Sequence, residues 1–201
     1  MTLPHGFAQL KRTADGLVYI PESEWMRMAE RIGQRAFDKG DLLVRAGGPA
    51  PDFFFIIKGL VRFFYCTDAG REFIKHFVME NGVAGSYQAL ARGEPCPFSI
   101  QALERTETLV IPVRELRESY DRHACWERLG RLNAEEVLLR KEERERELLL
   151  DPLEVRYLRF LEEYPGLADR VPQYHIASFL GVTDVALSRI RRKIGRAVPG
   201  K

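Results

Sequence analysis

A chain of 201 residues with 45% apolar and 30% charged side chains can bury a core, as one large domain or as two small ones. No run approaches the about 18 apolar residues of a membrane helix, and MTLPHGFAQLKRTADG has neither the basic start nor the apolar centre of a secretory signal, so no membrane partner and a cytoplasmic location are expected. The net charge of +2 is uneven, because residues 171–201 carry six bases against Asp184 alone and leave a net acidic remainder.

Cys66, Cys96 and Cys125 are scattered and odd in number, and His5, His76, His123 and His175 form no HxH or HxxxH pair. This pattern argues against a disulfide framework or a local zinc or iron–sulfur site. No metal and no cofactor are expected, although spacing alone leaves open a site assembled from distant residues.

In chain order, PESEWMRMAERIGQRAFD (21–38) places apolar residues at Trp25, Met28, Ile32 and Ala36, which predicts one short amphipathic helix. From Lys39 the texture changes. DLLVRAG, DFFFIIKGLVRFFYC, REFIKHFVME and LERTETLVIPV are short runs rich in β-branched and aromatic residues, punctuated by glycines. Such spacing predicts a β-sandwich, barrel or jelly roll. Thr67-Asp68-Ala69-Gly70 suits a tight hairpin turn with Gly70 at positive φ.

After Pro112 the pattern is helical. RELRESYDRH is a first short piece, and 126–150 contains no proline and only Gly130. Its apolar stripe is imperfect and its surface is laced with charge, including Glu136 and Arg140 at i,i+4 spacing. Two readings stand: a solvated helix lying on its own domain, or a long helix whose apolar side meets a second copy. Asp151-Pro152 predicts a new helix, with the aspartate as N-cap, running through EVRYLRFLEEY to Pro165-Gly166. A domain boundary is therefore expected near 150.

The most informative stretch is HIASFLGVTDVALSRIRRKI (175–194). A helix from Val171-Pro172 through Ile176, Ala177, Phe179 and Leu180 should end at Gly181, and Thr183 should N-cap a second helix. That second helix would bury Ala186, Leu187, Ile190 and Ile194. This is the helix-turn-helix pattern, whose second helix enters the DNA major groove. Arg189 is the candidate for bidentate contact with guanine, with Ser188 and Asp184 beside it, while Arg191, Arg192 and Lys193 suit phosphates. Gln173 and Thr183 complete the candidate DNA-binding set. A helical pair with a solvated basic face is the plainer alternative.

The stretches KGDLLVRAGGPAPDFFFIIKGLVRFFY, IQALERTETLVI and HIASFLGVTDVALSRIRRKI together resemble the Crp–Fnr transcription regulators, over about Trp25 to Arg196. The resemblance implies an α+β chain: an N-terminal helix and jelly-roll effector domain (1–124), a long dimerisation helix (125–150), and a helix-turn-helix domain (151–201). It implies a homodimer that binds double-stranded DNA, with RNA polymerase as a further candidate partner, and it implies no enzyme. A cupin-like enzyme would need a His/Glu metal cluster across strands, and the histidines are scattered.

This sequence departs from the family pattern in places. The ribose- and phosphate-holding pairs of cyclic-nucleotide-binding members fall near Gly85-Ser86 and Cys96-Pro97, and GEPCPFSIQ carries no arginine to neutralise a phosphate. Cyclic AMP is therefore not the expected ligand. An unidentified small effector, or none, is expected, with Gly85, Ser86, Cys96, Pro97 and Ser99 as the candidate pocket. Residues 1–65 contain no cysteine for an iron–sulfur cluster, and only His76 and His123 could be proposed for haem. Val185 stands where many relatives place a glutamate, so its methyls would meet thymine rather than cytosine N4. The short 165–172 span and the brief GRAVPGK end imply a reduced or absent wing. The competing function is a small-molecule-binding jelly-roll protein whose basic C-terminal helix serves a non-DNA partner.

Overall fold

The computed structural model describes residues 4–197, with side chains as far as Ile194. Two short helices, α1 (Phe7–Asp15) and α2 (Glu22–Ala29), lead into strands β1 (Gly33–Phe37), β2 (Leu42–Val44), β3 (Asp52–Lys58), β4 (Val61–Cys66), β5 (Glu72–Val78) and β6 (Val83–Ala84). Helix α3 (Tyr87–Arg92) separates these from β7 (Ser99–Ala102) and β8 (Thr106–Pro112). The remainder is helical: α4 (Val113–Arg122), α5 (Ala124–Leu150), α6 (Leu153–Glu163), α7 (Leu167–Arg170), α8 (Gln173–Phe179) and α9 (Asp184–Ala197).

The strands form two four-stranded sheets, ordered β1-β8-β3-β6 and β2-β7-β4-β5, whose recorded pairings are antiparallel. In β3 the side-chain period of two assigns residues to opposite faces. Phe54 and Ile56 enter the core between the sheets with Phe37, Val61, Phe63 and Ile100. Phe53 and Phe55 enter a second core on the outer face, with Trp25, Met28, Leu109 and Trp126. Burial on both faces is why this strand reads as an unbroken apolar run rather than an alternating one. The turn after β4 forms as expected: Gly70 has φ +77° and its N–H donates to Thr67 O at 2.8 Å.

Two sequence expectations need correction, and one element was not foreseen. The helix expected over 21–38 stops at Ala29, and 33–37 is a strand paired with β8 from Gly33↔Val110 to Phe37↔Thr106. Ile32 is buried but Ala36 is exposed, so their helical spacing was coincidental and sheet pairing prevailed. Asp151 does not cap α6. Pro152 occupies the N-cap position, and the Asp151 carboxylate instead accepts from Arg159, with Arg146 at 3.4 Å. Finally, α1 carries no strong signal in the sequence, yet it buries Phe7, Leu10 and Ala14.

The chain divides into two compact units, one of residues 1–66 and 75–136, the other of 67–74 and 137–201. The division falls inside α5. In the second unit Phe160, Tyr164 and Phe179 form an aromatic cluster with centroids 5.4–5.7 Å apart, and Leu167, Ile176 and Leu187 are fully buried. No helix among the described residues is long and apolar enough to cross a membrane.

Candidate nucleic-acid interface

Helix α8 ends in the sequence SFLGVT, and its closure follows from Gly181. The residue sits at φ +69°, a region where an L side chain is strained. The Val182 N–H then donates to Ala177 O at 3.0 Å and the Gly181 N–H to Ser178 O at 3.2 Å. This pair of bonds is the Schellman closure of a helix C-terminus. Thr183 follows, and its hydroxyl accepts from the Ala186 N–H at 3.2 Å, which caps α9 as expected.

Two further residues fix this turn and carry no local signal in the sequence. The last carbonyls of α8 have no intrahelical partners. Arg144 of α5 donates to Phe179 O and lies over the Phe179 ring at 3.7 Å, while Arg156 of α6 donates to Leu180 O at 2.5 Å. Cations are favoured at the negative end of a helix, so each arginine supplies both a donor and a charge there. Burial lowers the Arg144 pKa from its ordinary value, with nearby Tyr164 and Glu163 acting in the opposite direction. The pairs are 35 and 24 residues apart in sequence, which is why spacing could not reveal them.

Among the described side chains of α9, Leu187 alone is fully buried; Ala186, Ile190 and Ile194 are half-buried. The opposite face presents Asp184, Val185, Arg189, Arg191, Arg192 and Lys193 to solvent, with Ser188 half-buried beside them. Gln173, the first residue of α8, ties several of these together. Its amide nitrogen lies 2.7 Å from Asp184 Oδ1 and 2.6 Å from Ser188 Oγ, and its carbonyl oxygen accepts from Arg191 at 3.1 Å. Lys193 pairs with Glu154 of α6 at 2.7 Å. Val185 is 62% exposed, and among the described residues Arg189 makes no ion pair or hydrogen bond. The candidate DNA-binding residues thus lie at the start of α8 and along α9, some held by one another and, among the described residues, Arg189 held by none.

The candidate effector residues lie in the first unit, around α3. Ser86 is completely buried and N-caps α3, accepting from the Ala89 N–H at 3.3 Å. Cys96 is completely buried in the core between the sheets, and Ser99, also buried, accepts from the Ala46 N–H at 3.0 Å. Gly85 lies so close to the Phe53 ring that a Cβ would stand 2.4 Å from it, and Pro97 is exposed. One buried arginine does occur on the neighbouring strand: Arg62 donates to Gln101 Oε1 at 2.6 Å and stacks over Phe64 at 4.2 Å.

Against known proteins, residues 34–123 match the cyclic nucleotide-binding domain family. The transcriptional activator protein anr of Pseudomonas aeruginosa is 36% identical over 84 residues, covering 42% of this chain and 34% of that protein. FixK2 from Bradyrhizobium japonicum superposes with a TM-score of 0.73 at 20% identity, over 85% of this chain and 89% of its own. The c-di-GMP-responsive regulator CLP of Xanthomonas campestris gives 0.69 at 16% identity, over 90% and 97%. In fold the chain is similar to these two regulators, and its family match is to the cyclic nucleotide-binding domain over residues 34–123. The chain spans about a third of the curated relative it matches, and its likeness to the two solved structures is one of fold. The jelly roll, the long α5 and the terminal helical pair are the fold that the sequence resemblance implied. Of the expected wing, the span between α6 and α8 holds only the short α7, and residues beyond 197 lie outside the described residues.

Proposed function

We propose that this chain is a homodimeric, sequence-specific DNA-binding transcription regulator that reads the major groove with α9. The observation that carries the proposal is the exposed face of α9, where Val185 and Arg189 project from a helix fixed by the Gly181 turn and the Gln173 network. Arg189 offers a guanidinium fork for guanine O6 and N7, Val185 offers methyls for a thymine methyl, and Arg191, Arg192 and Lys193 supply phosphate contacts. The concentration of basic charge in residues 171–201 supports the same reading, since a phosphate backbone selects for it.

Dimerisation is supported by α5 and α6. Leu138, Leu139, Leu148, Leu149 and Leu150 of α5 are exposed, as are Val155 and Leu158 of α6. Leucines at this density on one long helix are the pattern of a helix that meets a copy of itself. Two reading heads would then address half-sites separated by about 34 Å, one helical turn.

The test is selection of duplex DNA from a random pool by the full-length protein, followed by anisotropy titration of the selected duplex. A palindromic consensus and salt-dependent binding that Arg189→Ala weakens are expected. Absence of any selected consensus, with only weak sequence-independent binding, would overturn the assignment.

A further inference from the structure

The outer face of the roll is covered incompletely. Helices α1, α2 and α4 and the first turns of α5 close over Phe53, Phe55, Leu109 and Ile111, forming a core separate from the one between the sheets. Where these helices meet α3, a half-open cavity of about 100 Å³ remains. Its lining is apolar, from Trp25, Met28, Phe53, Leu90 and Trp126, with Asn133, Tyr87 and Tyr120 contributing the polar atoms.

Three features distinguish this space from a packing defect. The first is Gly130, in the middle of α5, where a Cβ would stand 2.5 Å from the Tyr120 hydroxyl. A glycine inside a helix is unfavourable by itself; here it lets Tyr120 lie flat across α5 as one wall. The second is the polar groups. Tyr87 donates to Asn133 Oδ1 at 2.5 Å, which fixes the asparagine amide at the cavity. Among the described residues nothing accepts from the Asn133 amide nitrogen, and the Tyr120 hydroxyl has no protein partner. The third is the wall chemistry: Trp25 and Trp126 meet edge to face at 5.2 Å, a rigid aromatic corner.

We infer that this cavity is a binding site for a small uncharged aromatic molecule of one ring bearing one hydrogen-bonding substituent. An apolar cavity of about 150 Å³ is known to accept benzene, so a half-open space of this size suits a single ring with its substituent at the mouth. The lining has no charged side chain, which disfavours nucleotides, carboxylates and cations. Asn133 and Tyr120 supply a donor and a donor–acceptor for one hydroxyl or amide. The cavity lies apart from Cys96 of the candidate effector set, which is buried in the core between the sheets, while Ser86 caps α3 next to the lining residue Tyr87. It does not depend on the DNA-reading proposal.

The test uses the full-length protein without DNA, with 4-fluorobenzyl alcohol followed by fluorine NMR and competed by unlabelled benzyl alcohol. A saturable, competable shift is expected, accompanied by a change in the emission of Trp25 and Trp126, the chain's two tryptophans. Val83→Phe, at the rim, should weaken binding about tenfold while leaving the melting temperature unchanged. Leu90→Ala, which enlarges the cavity, should make 2-naphthylmethanol bind about tenfold tighter than it binds the parent protein. A linear, non-saturating response in the parent protein would overturn the site. So would equal binding by a folded Val83→Phe protein; if that variant fails to fold, no gain in Leu90→Ala would do the same.

Discussion

Gln173 and Ser188 are joined by a 2.6 Å hydrogen bond that links the first residue of α8 to the exposed face of α9. The same amide reaches Asp184, and its oxygen accepts a hydrogen bond from Arg191. One glutamine therefore sets both the angle between the helices and the rotamers of side chains beside Arg189. Gln173→Ala removes hydrogen bonds at a partly exposed site, each worth about 0.5–1.5 kcal/mol. DNA affinity is expected to fall about fivefold, with the helical content by circular dichroism unchanged. Unaltered affinity for the selected duplex would show that the network is only structural.

Arg189 and Arg192 should behave differently although both are exposed arginines. Arg189→Ala is expected to cost about 1–3 kcal/mol and to relax preference at one base pair, because it removes a bidentate base contact. Arg192→Ala should weaken all duplexes alike and reduce the slope of log affinity against log salt by about 1. Competition titrations with single-substituted duplexes at several salt concentrations separate the two. The same response from both variants would mean that Arg189 binds phosphate.

Val185 is exposed at the start of α9 and brings methyl groups where a carboxylate could sit. Val185→Glu should move the preferred base at one symmetric position from thymine towards cytosine, whose N4 donates to a carboxylate, with discrimination of about 1–3 kcal/mol. Repeating the selection with the variant reads this directly. An unchanged consensus would place Val185 away from the bases.

Much of this site was legible because its signals are local. Gly181, Thr183 and the spacing of Ile176, Phe179, Leu180 and Leu187 announce a turn between two helices, and each does what its chemistry predicts. The continuous DFFFII run also reported a strand buried on both faces, although its two cores could be separated only in space. The failures are equally physical. Ile32 and Ala36 mimic a helical face, but the backbone of 33–37 finds its partner in β8, some 73 residues away. Asp151 has a cap's identity, but two arginines claim its carboxylate. Arg144 and Arg156, which hold the end of α8, and the cavity formed by residues from α2, β3, α3, α4 and α5 are assembled from distant segments that no spacing rule connects.

Leu138 and Leu149 of α5 are 55% and 74% exposed and lie eleven residues apart, about three helical turns, so both face the same way. Burying a leucine is worth about 1.5–3 kcal/mol, and a homodimer buries each position twice. The double variant Leu138→Glu with Leu149→Glu is therefore expected to sediment as a monomer where the parent is a dimer. Its affinity for a palindromic duplex should fall towards that for a half-site. A parent protein that sediments as a monomer at micromolar concentration would rule out this interface.

Glu24 connects stability to pH. It is buried in α2, where its Oε2 accepts from the Trp126 indole at 2.8 Å and from Arg122 at 3.0 Å. Burial by itself raises a carboxyl pKa, but here the two hydrogen bonds and the Arg122 charge outweigh it, and the Glu24 pKa lies below its ordinary value. A carboxyl with a depressed folded pKa stabilises the fold fully above its unfolded value, near 4.3, and loses that contribution as pH falls through the folded value. Glu24→Gln keeps an acceptor for the indole but leaves Arg122 without its counter-charge. The variant should be less stable by about 1–3 kcal/mol at neutral pH, the range for a hydrogen bond to a charged group. As pH falls through the depressed folded pKa, the parent carboxylate protonates and becomes the neutral equivalent of the glutamine, so the two stability curves should converge. Urea unfolding of both proteins across this range measures the difference directly. A gap that stays constant down to pH values where the parent remains folded would show that the contribution of Glu24 is one of packing, not of charge.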